Sequence, residues 1–277
     1  MADLEHDEII RSALREDMPD GDVTSESIIP PAAVSEAILL AKEDGILAGL
    51  PVVRRVFEII DKNIDFRPEF EDGAKFQKDA VLARLKGPTV SLLKGERTAL
   101  NFLQRLSGIA TATRHFVDAV AGTKTRILDT RKTTPGLRRL EKYAVRMGGG
   151  QNHRLGLSDM VLIKDNHIRH VGNITESIRR ARANAPPGMK VEVEVATVDE
   201  ACQALAARAD IVMLDNMSLE DMRKVAGVYA GRVPIEVSGN VTLDRAREIA
   251  AIGVDFISVG ALTHSARALD ISLEFLS

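Results

Sequence analysis

The chain has 277 residues, of which 45% are hydrophobic, and its 37 Lys and Arg residues are offset by 40 Asp and Glu residues. This balance and a pI near 6.1 exclude the basic surface that nucleic acid or an anionic membrane requires. The length suffices for one large domain or two ordinary ones, and the absence of tryptophan predicts an aliphatic core.

The composition also bears on the compartment. The single cysteine, Cys202, excludes an intramolecular disulfide and a cysteine-cluster metal site, and its helical context predicts a small buried side chain. No stretch approaches the roughly 18 apolar residues of a membrane span, and residues 1–7 are acidic and polar, unlike a secretory signal. The sequence therefore predicts a cytoplasmic protein outside the membrane.

Residues 1–107 mix helical and strand patterns without a regular βα rhythm. The apolar spacing predicts helices over residues 4–14 and 52–60. It predicts strands over residues 37–41, 64–67 and 81–85. We interpret this region as an N-terminal α+β domain. A C-terminal helix over residues 266–277 is expected to pack back on it.

From residue 108 to residue 265, short β-rich runs alternate with helical stretches. The predicted strands are residues 125–130, 160–164, 191–195, 211–214, 235–237 and 256–259. The predicted helices between them include residues 174–184, 198–207, 219–229 and 243–252. Such a succession of βα units predicts a parallel sheet, either open or closed into a barrel.

Polar or small residues end nearly every predicted strand, for example Asp129, Lys164 and Asp215. An open sheet places its ligand at one switch point, whereas a barrel draws functional groups from most of its strand ends. The sequence therefore predicts a catalytic domain that is an α/β barrel of about six parallel strands, similar to a TIM barrel.

The segment from residue 126 to residue 164 is unusually rich in cations. These are Arg126, Arg131, Lys132, Arg138, Arg139, Lys142, Arg146, Arg154 and Lys164. A local excess of positive charge in a slightly acidic chain predicts a small polyanionic ligand.

Carboxylates at predicted strand ends are candidates for chemistry. Alternation over residues 191–195 places Glu192 and Glu194 on one face, which is either the barrel lumen or a solvent-exposed face with lysine partners. Asp215 either coordinates Mg²⁺, stabilises a developing positive charge, or caps the next helix, a role for which Ser218 competes.

A phosphate site is predicted after the last two strands. Ser238, Gly239 and Asn240 follow one strand, and Gly260 follows the other. Barrels hold phosphate at this place through backbone N–H groups and a helix N-terminus. Nucleotide hydrolysis and dinucleotide binding have no local support, because neither a Walker A sequence nor a strand-linked Gly-x-Gly-x-x-Gly is present.

Arg97 lies on the predicted apolar stripe of a helix over residues 90–106, four residues after Leu93. Either its aliphatic stem packs while the charge reaches solvent, or its guanidinium reaches an anion across a subunit interface. Among the histidines, His153 lies in the cationic segment and His167 lies just after it, and both are candidate ligand contacts. No comparable context surrounds His264 or the histidines at positions 6, 115 and 170.

Ordered motifs along nearly the whole chain resemble the quinolinate phosphoribosyltransferase family. They are GERTALN (95–101), SGIATAT (107–113), DTRKTTPGLR (129–138), GGGQNHR (148–154), LIKDNH (162–167) and VGALTH (259–264), and residues 11–24 also match. One departure is Asn240, because many members have a second glycine after Ser238 and Gly239.

The resemblance implies transfer of the phosphoribosyl group of 5-phosphoribosyl 1-pyrophosphate (PRPP) to the ring nitrogen of quinolinate. The 2-carboxylate leaves as CO₂, and the products are nicotinate mononucleotide and pyrophosphate, in de novo NAD biosynthesis. The resemblance further implies Mg²⁺ with PRPP, no organic cofactor, and a homodimer with shared active sites or a higher oligomer.

The resemblance also implies roles for individual residues. Those implied for quinolinate are Arg131, His153, Arg154 and Lys164, with Arg97 from the neighbouring subunit. Lys132 and Lys164 lie on the pyrophosphate side, and Thr130 joins the substrate-binding residues. Glu194 and Asp215 face the ribose and its Mg²⁺, either as ligands of the metal or as groups that stabilise the ribose cation. Those implied for the 5-phosphate are Ser238, Gly239, Asn240 and Gly260.

Two alternatives remain from the sequence. One is a phosphoribosyltransferase-like enzyme of a molybdenum-transport operon, which uses another acceptor. The other is a barrel aldolase that forms a Schiff base through Lys164.

Overall fold

A computed structural model of the chain describes residues 2–229 and 231–276. The helices are α1 (Ala2–Asp17), α2 (Val23–Ile28), α3 (Leu50–Ile60), α4 (Thr89–Ala119), α5 (Arg138–Met147), α6 (Asp165–Val171), α7 (Ile174–Asn184), α8 (Val198–Ala206), α9 (Leu219–Tyr229), α10 (Leu243–Ala250) and α11 (Ala261–His264). The strands are β1 (Val34–Ala41), β2 (Gly45–Ile46), β3 (Asp65–Pro68), β4 (Lys75–Phe76), β5 (Val81–Pro88), β6 (Arg126–Leu128), β7 (Val161–Ile163), β8 (Val191–Val195), β9 (Ile211–Asp215), β10 (Ile235–Ser238), β11 (Phe256–Ser258) and β12 (Ile271–Phe275). In the described part of the chain, none of the helices is both long and apolar enough to cross a membrane.

The chain folds as two compact units. The first unit contains a four-stranded antiparallel sheet in the order β12-β1-β5-β3, a two-stranded sheet of β2 and β4, and several helices. Its core is aliphatic, as the composition predicts, with Leu39, Val53 and Leu103 fully buried. The predicted N-terminal α+β architecture is therefore present.

The predicted C-terminal helix is wrong, because residues 271–275 form strand β12. This strand pairs antiparallel with β1, with Leu273 opposite Leu39. Ile271 and Leu273 are buried while their neighbours along the strand are less so, which is the two-residue period of a half-buried strand. The expected packing of the C-terminal segment against the N-terminal domain is nevertheless present, as sheet pairing.

The boundary between the units also differs from the predicted one at residues 107 and 108. Residues 134–149 belong to the first unit, and the long helix α4 runs past the predicted boundary. Glu141 of α5 is fully buried and lies 2.6 Å from the guanidinium of Arg105 on α4. A buried carboxylate without its cation is costly, so this ion pair ties α5 to the first unit.

The second unit carries a six-stranded parallel sheet in the order β6-β11-β10-β9-β8-β7. Strands β7 to β11 lie side by side in chain order, and β6, the first of the six, pairs with β11, the last. Because first and last strands meet, the sheet curls towards closure, and the predicted barrel is confirmed. Among the described residues no ladder joins β6 to β7. Gln151 bridges to Leu128 on the edge of β6 opposite β11.

Candidate active site

A cavity of about 770 Å³ lies at the carboxyl ends of the parallel strands, and its lining comes entirely from the second unit. This is the end at which α/β barrels hold their ligands. The cavity brings together the site residues predicted within this unit, which are Thr130, Arg131, Lys132, His153, Arg154, Lys164, Glu194, Asp215, Ser238, Gly239, Asn240 and Gly260. Their individual roles stay predictions.

The cations of the site are concentrated around Arg154. Its Nη1 donates a hydrogen bond to the carbonyl oxygen of Met160 (3.0 Å). The pKa of Arg154 is lowered, first by burial and then by the positive charge of Arg131. Two positive charges at a partly buried place repel each other, which disfavours the charged form of each side chain. An anionic ligand between or beside them relieves this repulsion.

Lys164 and Glu194 form an ion pair at the ends of β7 and β8, with Nζ 2.6 Å from Oε2. The glutamate side chain is 16% exposed and the lysine side chain 45% exposed, so the pair faces the open part of the cavity. In the loop after β6, the hydroxyl of Thr130 accepts a hydrogen bond from the backbone N–H of Lys132 (3.0 Å). The loop after β6 is held again by Thr263, which donates to the Lys132 carbonyl (2.8 Å).

Asp215 ends β9 and is not the cap of the next helix. The backbone N–H of Asp221 donates to the hydroxyl of Ser218 (3.1 Å), so Ser218 takes the capping role. Asp215 lies in register with Ser238 of β10, and its Oδ2 accepts a hydrogen bond from the side chain of Asn216 (3.0 Å). Asp215 also lines the cavity.

The turn after β10 contains two consecutive residues with positive φ, Gly239 and Asn240. Gly239 has a φ of +95°, and a Cβ there would lie 2.3 Å from Oδ1 of Asn216. Asn240, at a φ of +46°, donates from Nδ2 to the same oxygen (3.1 Å). Asparagine is one of the few residues that adopt this left-handed region readily, so the departure from a second glycine preserves the turn. Thr242, which caps α10, completes this part of the lining.

Gly260 follows β11 and leaves room for two ionisable side chains. A Cβ at this position would lie 3.0 Å from Cδ of Lys132 and 3.3 Å from the ring of His264. His264 lines the cavity, although no functional role was predicted for it. Its place in the VGALTH motif, four residues after Gly260, was the available signal.

Two buried glutamates lie beside His153, and one of them, Glu236, was not predicted from the sequence. Glu236 of β10 lines the cavity and is 1% exposed, and Glu192 of β8 is fully buried. Nε2 of His153 lies 3.1 Å from Oε2 of Glu192 and 3.6 Å from Oε1 of Glu236. Burial, followed by the charge of Glu192, raises the pKa of Glu236 to about 8. The lumen-facing alternative for Glu192 is therefore correct, and Ile235-Glu-Val237 repeats the pattern of residues 191–193 that could have revealed Glu236.

Arg97 lies in the first unit and its side chain is exposed, so the prediction of an apolar stripe through it is wrong. The buried face of α4 instead contains Leu92, Ala99, Leu103 and Leu106. The cationic segment is also divided, because residues 134–149 belong to the first unit. Only Arg131, Lys132, Arg154 and Lys164 of its cations line the cavity.

The barrel, the turn after β10 and the cation-lined cavity are together typical of α/β-barrel enzymes that act on anionic ligands. Family models described as the N-terminal and C-terminal domains of quinolinate phosphoribosyl transferase match residues 22–107 and 109–274, respectively. The chain therefore belongs to the quinolinate phosphoribosyltransferase family.

Named relatives span nearly the whole chain. A probable nicotinate-nucleotide pyrophosphorylase [carboxylating] of Bacillus subtilis is 43% identical, over 99% of this chain and 94% of its own length. The nicotinate-nucleotide pyrophosphorylase [carboxylating] of Mycobacterium leprae is 42% identical, over 99% of both chains. The crystal structure of NadC from Streptococcus pyogenes is 44% identical, covers 99% of this chain and 98% of its own, and superposes with a TM-score of 0.95.

Proposed function

We propose that this protein transfers the phosphoribosyl group of PRPP to quinolinate and releases CO₂, pyrophosphate and nicotinate mononucleotide, as in de novo NAD biosynthesis. One observation carries the proposal: a single cavity joins a cluster of cations, two strand-end carboxylates and the glycine turn after β10. The names of the relatives, which are nicotinate-nucleotide pyrophosphorylases, support the same reaction.

The cationic side of the cavity suits quinolinate. Arg131 and Arg154 are near enough for the charge of one to lower the pKa of the other. Each guanidinium can bind a carboxylate in a bidentate manner, so a pyridine with two adjacent carboxylates matches the pair.

The opposite side of the cavity suits the phosphates of PRPP. The turn at Gly239 and the N-terminus of α10 offer backbone N–H groups to the 5-phosphate. Lys132, beside Gly260, supplies a flexible positive charge for the pyrophosphate.

Glu194 and Asp215 lie where the ribose would join the two substrates. Loss of pyrophosphate places positive charge on the ribose ring, and carboxylates already held on β8 and β9 stabilise that charge. Attack by the pyridine nitrogen then leaves a quaternised ring. When the bond between C2 and the 2-carboxylate breaks, its electron pair stays on C2, where the adjacent positive nitrogen stabilises it. CO₂ departs, and a proton then adds to C2.

The same carboxylates fit Mg²⁺ that arrives with PRPP. Among the described residues, the one group of three metal-ligand side chains is His153, Glu192 and Glu236, so Glu194 and Asp215 form no cage of their own. Mg²⁺ typically takes one or two carboxylates together with substrate phosphates. Bound in this way, Mg²⁺ would neutralise charge on the leaving pyrophosphate.

We further propose a homodimer in which Arg97 completes the active site of the partner subunit. Arg97 is exposed on α4, and it forms no ion pair with any described residue. An exposed, uncompensated arginine suits an anion held by another chain. The cytoplasmic location stays a prediction from the composition.

Product analysis tests the proposed function. The protein is incubated with PRPP, Mg²⁺ and quinolinate, and nicotinate is the control acceptor. We expect nicotinate mononucleotide from quinolinate alone, because nicotinate lacks the second carboxylate that the paired arginines bind. Turnover of a different acceptor in place of quinolinate would instead favour the molybdenum-operon type of enzyme. Trapping of a carbonyl substrate on Lys164 by borohydride would instead indicate an aldolase.

A further inference from the structure

Not all of the cavity lining is charged or polar. In the part of the chain that the structure describes, five apolar side chains also line it, and they are Leu162, Met213, Val241, Val259 and Ala261. Leu162 and Met213 are the largest of these, and they are 8% and 5% exposed, respectively. A site for phosphates and carboxylates alone would gain little from such surface, because an apolar group stabilises a ligand by removing other apolar surface from water. This lining therefore suits a ligand that also has an apolar part.

Leu162 lies among the cations of the site. Side chains alternate along β7, so Leu162 and Lys164 share the face that lines the cavity, while Ile163 points to the other face and does not line it. On the other side of Leu162 along the chain, the carbonyl oxygen of Met160 accepts the hydrogen bond from Nη1 of Arg154 (3.0 Å). Leu162 is thus two residues from the group that holds Arg154 and two residues from Lys164.

Met213 has different neighbours. It lies in register with Glu194 of β8 on one side and with Glu236 of β10 on the other. Two carboxyl-bearing residues therefore flank Met213, whereas a dicarboxylate acceptor needs cations beside it. Leu162 is in register with Glu192, but that residue is fully buried and does not line the cavity. Of the two large apolar side chains, Leu162 is the one that lies beside cations.

We infer that Leu162 is a specificity-determining residue, whose side chain packs against the aromatic ring of the acceptor and selects an aromatic dicarboxylate over an aliphatic one. This inference rests on the proposed function, since it takes the acceptor carboxylates to bind Arg131 and Arg154. These arginines can bind any pair of suitably spaced carboxylates, so they alone do not distinguish a ring from a chain. Contact with one face of the ring removes apolar surface of both partners from water, which corresponds to about tenfold in affinity.

Calorimetry with two unreactive dicarboxylates tests the ring contact without turnover. Phthalate is quinolinate with CH in place of the ring nitrogen, whereas maleate carries two cis carboxylates on a carbon–carbon double bond and has no ring. We expect the wild-type protein to bind phthalate about tenfold more tightly than maleate. Leu162→Ala should weaken phthalate binding by about tenfold and maleate binding by less than about twofold.

Ile163→Ala is the matched control, because it removes the same number of carbon atoms from the same strand, on the face away from the cavity. It should leave both dissociation constants within about twofold of wild type, although both alanine variants lose stability. Leu162→Met keeps the apolar volume and should retain the preference for phthalate. If Leu162→Ala does not fold, Leu162→Asn replaces it, because asparagine has a similar shape but a polar surface, and the same loss of phthalate affinity is expected.

Equal losses for phthalate and maleate in Leu162→Ala would overturn the inference. So would an equal loss of phthalate affinity in Ile163→Ala, or a wild-type protein that does not prefer phthalate to maleate. The proposed function fails separately, if the wild-type protein consumes no quinolinate, and a lost phthalate preference in Leu162→Ala would then still place an aromatic dicarboxylate against Leu162. Quinolinate turnover by wild type together with an unchanged phthalate preference in Leu162→Ala would instead refute the role of Leu162 alone.

Discussion

Lys164 Nζ lies 2.6 Å from Glu194 Oε2, so the ends of neighbouring strands carry opposite charges within one ion pair. Both side chains face the cavity, and an anionic substrate competes with Glu194 for the ammonium group. When phosphate or carboxylate oxygens engage Lys164, Glu194 becomes available to positive charge elsewhere. In the proposed reaction, substrate binding and charge stabilisation would therefore be connected through this one pair of residues.

Removal of charge from the strand-end carboxylates should affect turnover more than acceptor binding. Glu194→Gln and Asp215→Asn are each expected to lower kcat by roughly a hundredfold, because we propose that both carboxylates face the charge that develops on the ribose. The quinolinate Kd, measured by calorimetry, should change much less. Glu220→Gln, which breaks an exposed ion pair with Lys224 on α9, is the control. Near-normal kcat in both cavity variants would return Glu194 and Asp215 to a structural role.

Gly239→Ala should selectively weaken PRPP binding. Its Cβ would lie 2.3 Å from Oδ1 of Asn216, so the turn must shift. Gly253→Ala is a close control, because Gly253 has a similar φ of +88° but open space around it. Both variants should lose comparable stability from backbone strain, whereas only Gly239→Ala should raise the PRPP KM, by about tenfold or more. Equal PRPP constants in the two variants would remove this turn from the phosphate site.

Glu236 should make stability depend on pH. Its pKa is raised from 4.5 to about 8 in the folded protein, mainly by burial, so between these values the folded state binds more protons than the unfolded state. Stability should therefore fall as pH rises through this range, at no more than about 1.4 kcal/mol per pH unit from this group. Glu236→Gln cannot ionise, and its stability relative to wild type should increase from pH 5 to pH 8 in urea titrations. Exposed Glu248→Gln should show a constant difference, and a constant difference for Glu236→Gln would contradict the raised pKa.

Subunit complementation tests the shared site. Arg97→Ala and Lys164→Ala should each be inactive alone, but random reassortment makes about half of the dimers mixed, each with one whole site. Activity should return to roughly a quarter of wild type after the two variants are refolded together. A mixture of Lys164→Ala with Glu194→Ala is the control, because both residues line the cavity of the same chain and no whole site can form. Verified mixed dimers without recovered activity would place Arg97 outside the partner's site.

Most strands of the barrel were predictable, because each is a short run of mainly buried residues. The run that became β9 is short and apolar and ends in Asp215, whereas the run that became β8 alternates valine with Glu192 and Glu194; both patterns are typical of barrel strands that place polar groups inside the barrel or at its carboxyl end. The same rule located Lys164, Glu194 and Asp215. Local sequence spacing was enough, since each residue lies in the last two positions of its own strand or directly after it.

Features that depend on long-range packing were not predictable in this way. Residues 134–149 lie next to barrel segments in sequence, but the buried pair of Arg105 with Glu141 places them in the first unit. Arg97 was assigned to the wrong face because several phases of a long helix fit an apolar stripe, and only the packing of α4 selects one. Glu236 was overlooked because a charged residue inside an apolar run gains meaning only when the curled sheet brings it beside Glu192 and His153.

Isotopic labelling of the 2-carboxylate carbon shows whether phosphoribosyl transfer to quinolinate is coupled to decarboxylation. Quinolinate labelled with ¹³C at that carboxylate is incubated with PRPP, Mg²⁺ and the protein, and nicotinate mononucleotide, pyrophosphate and labelled CO₂ are quantified together. We predict equal amounts of the three products, with no label in the nucleotide. Retention of the label in a nucleotide product, or release of CO₂ without pyrophosphate, would contradict the account.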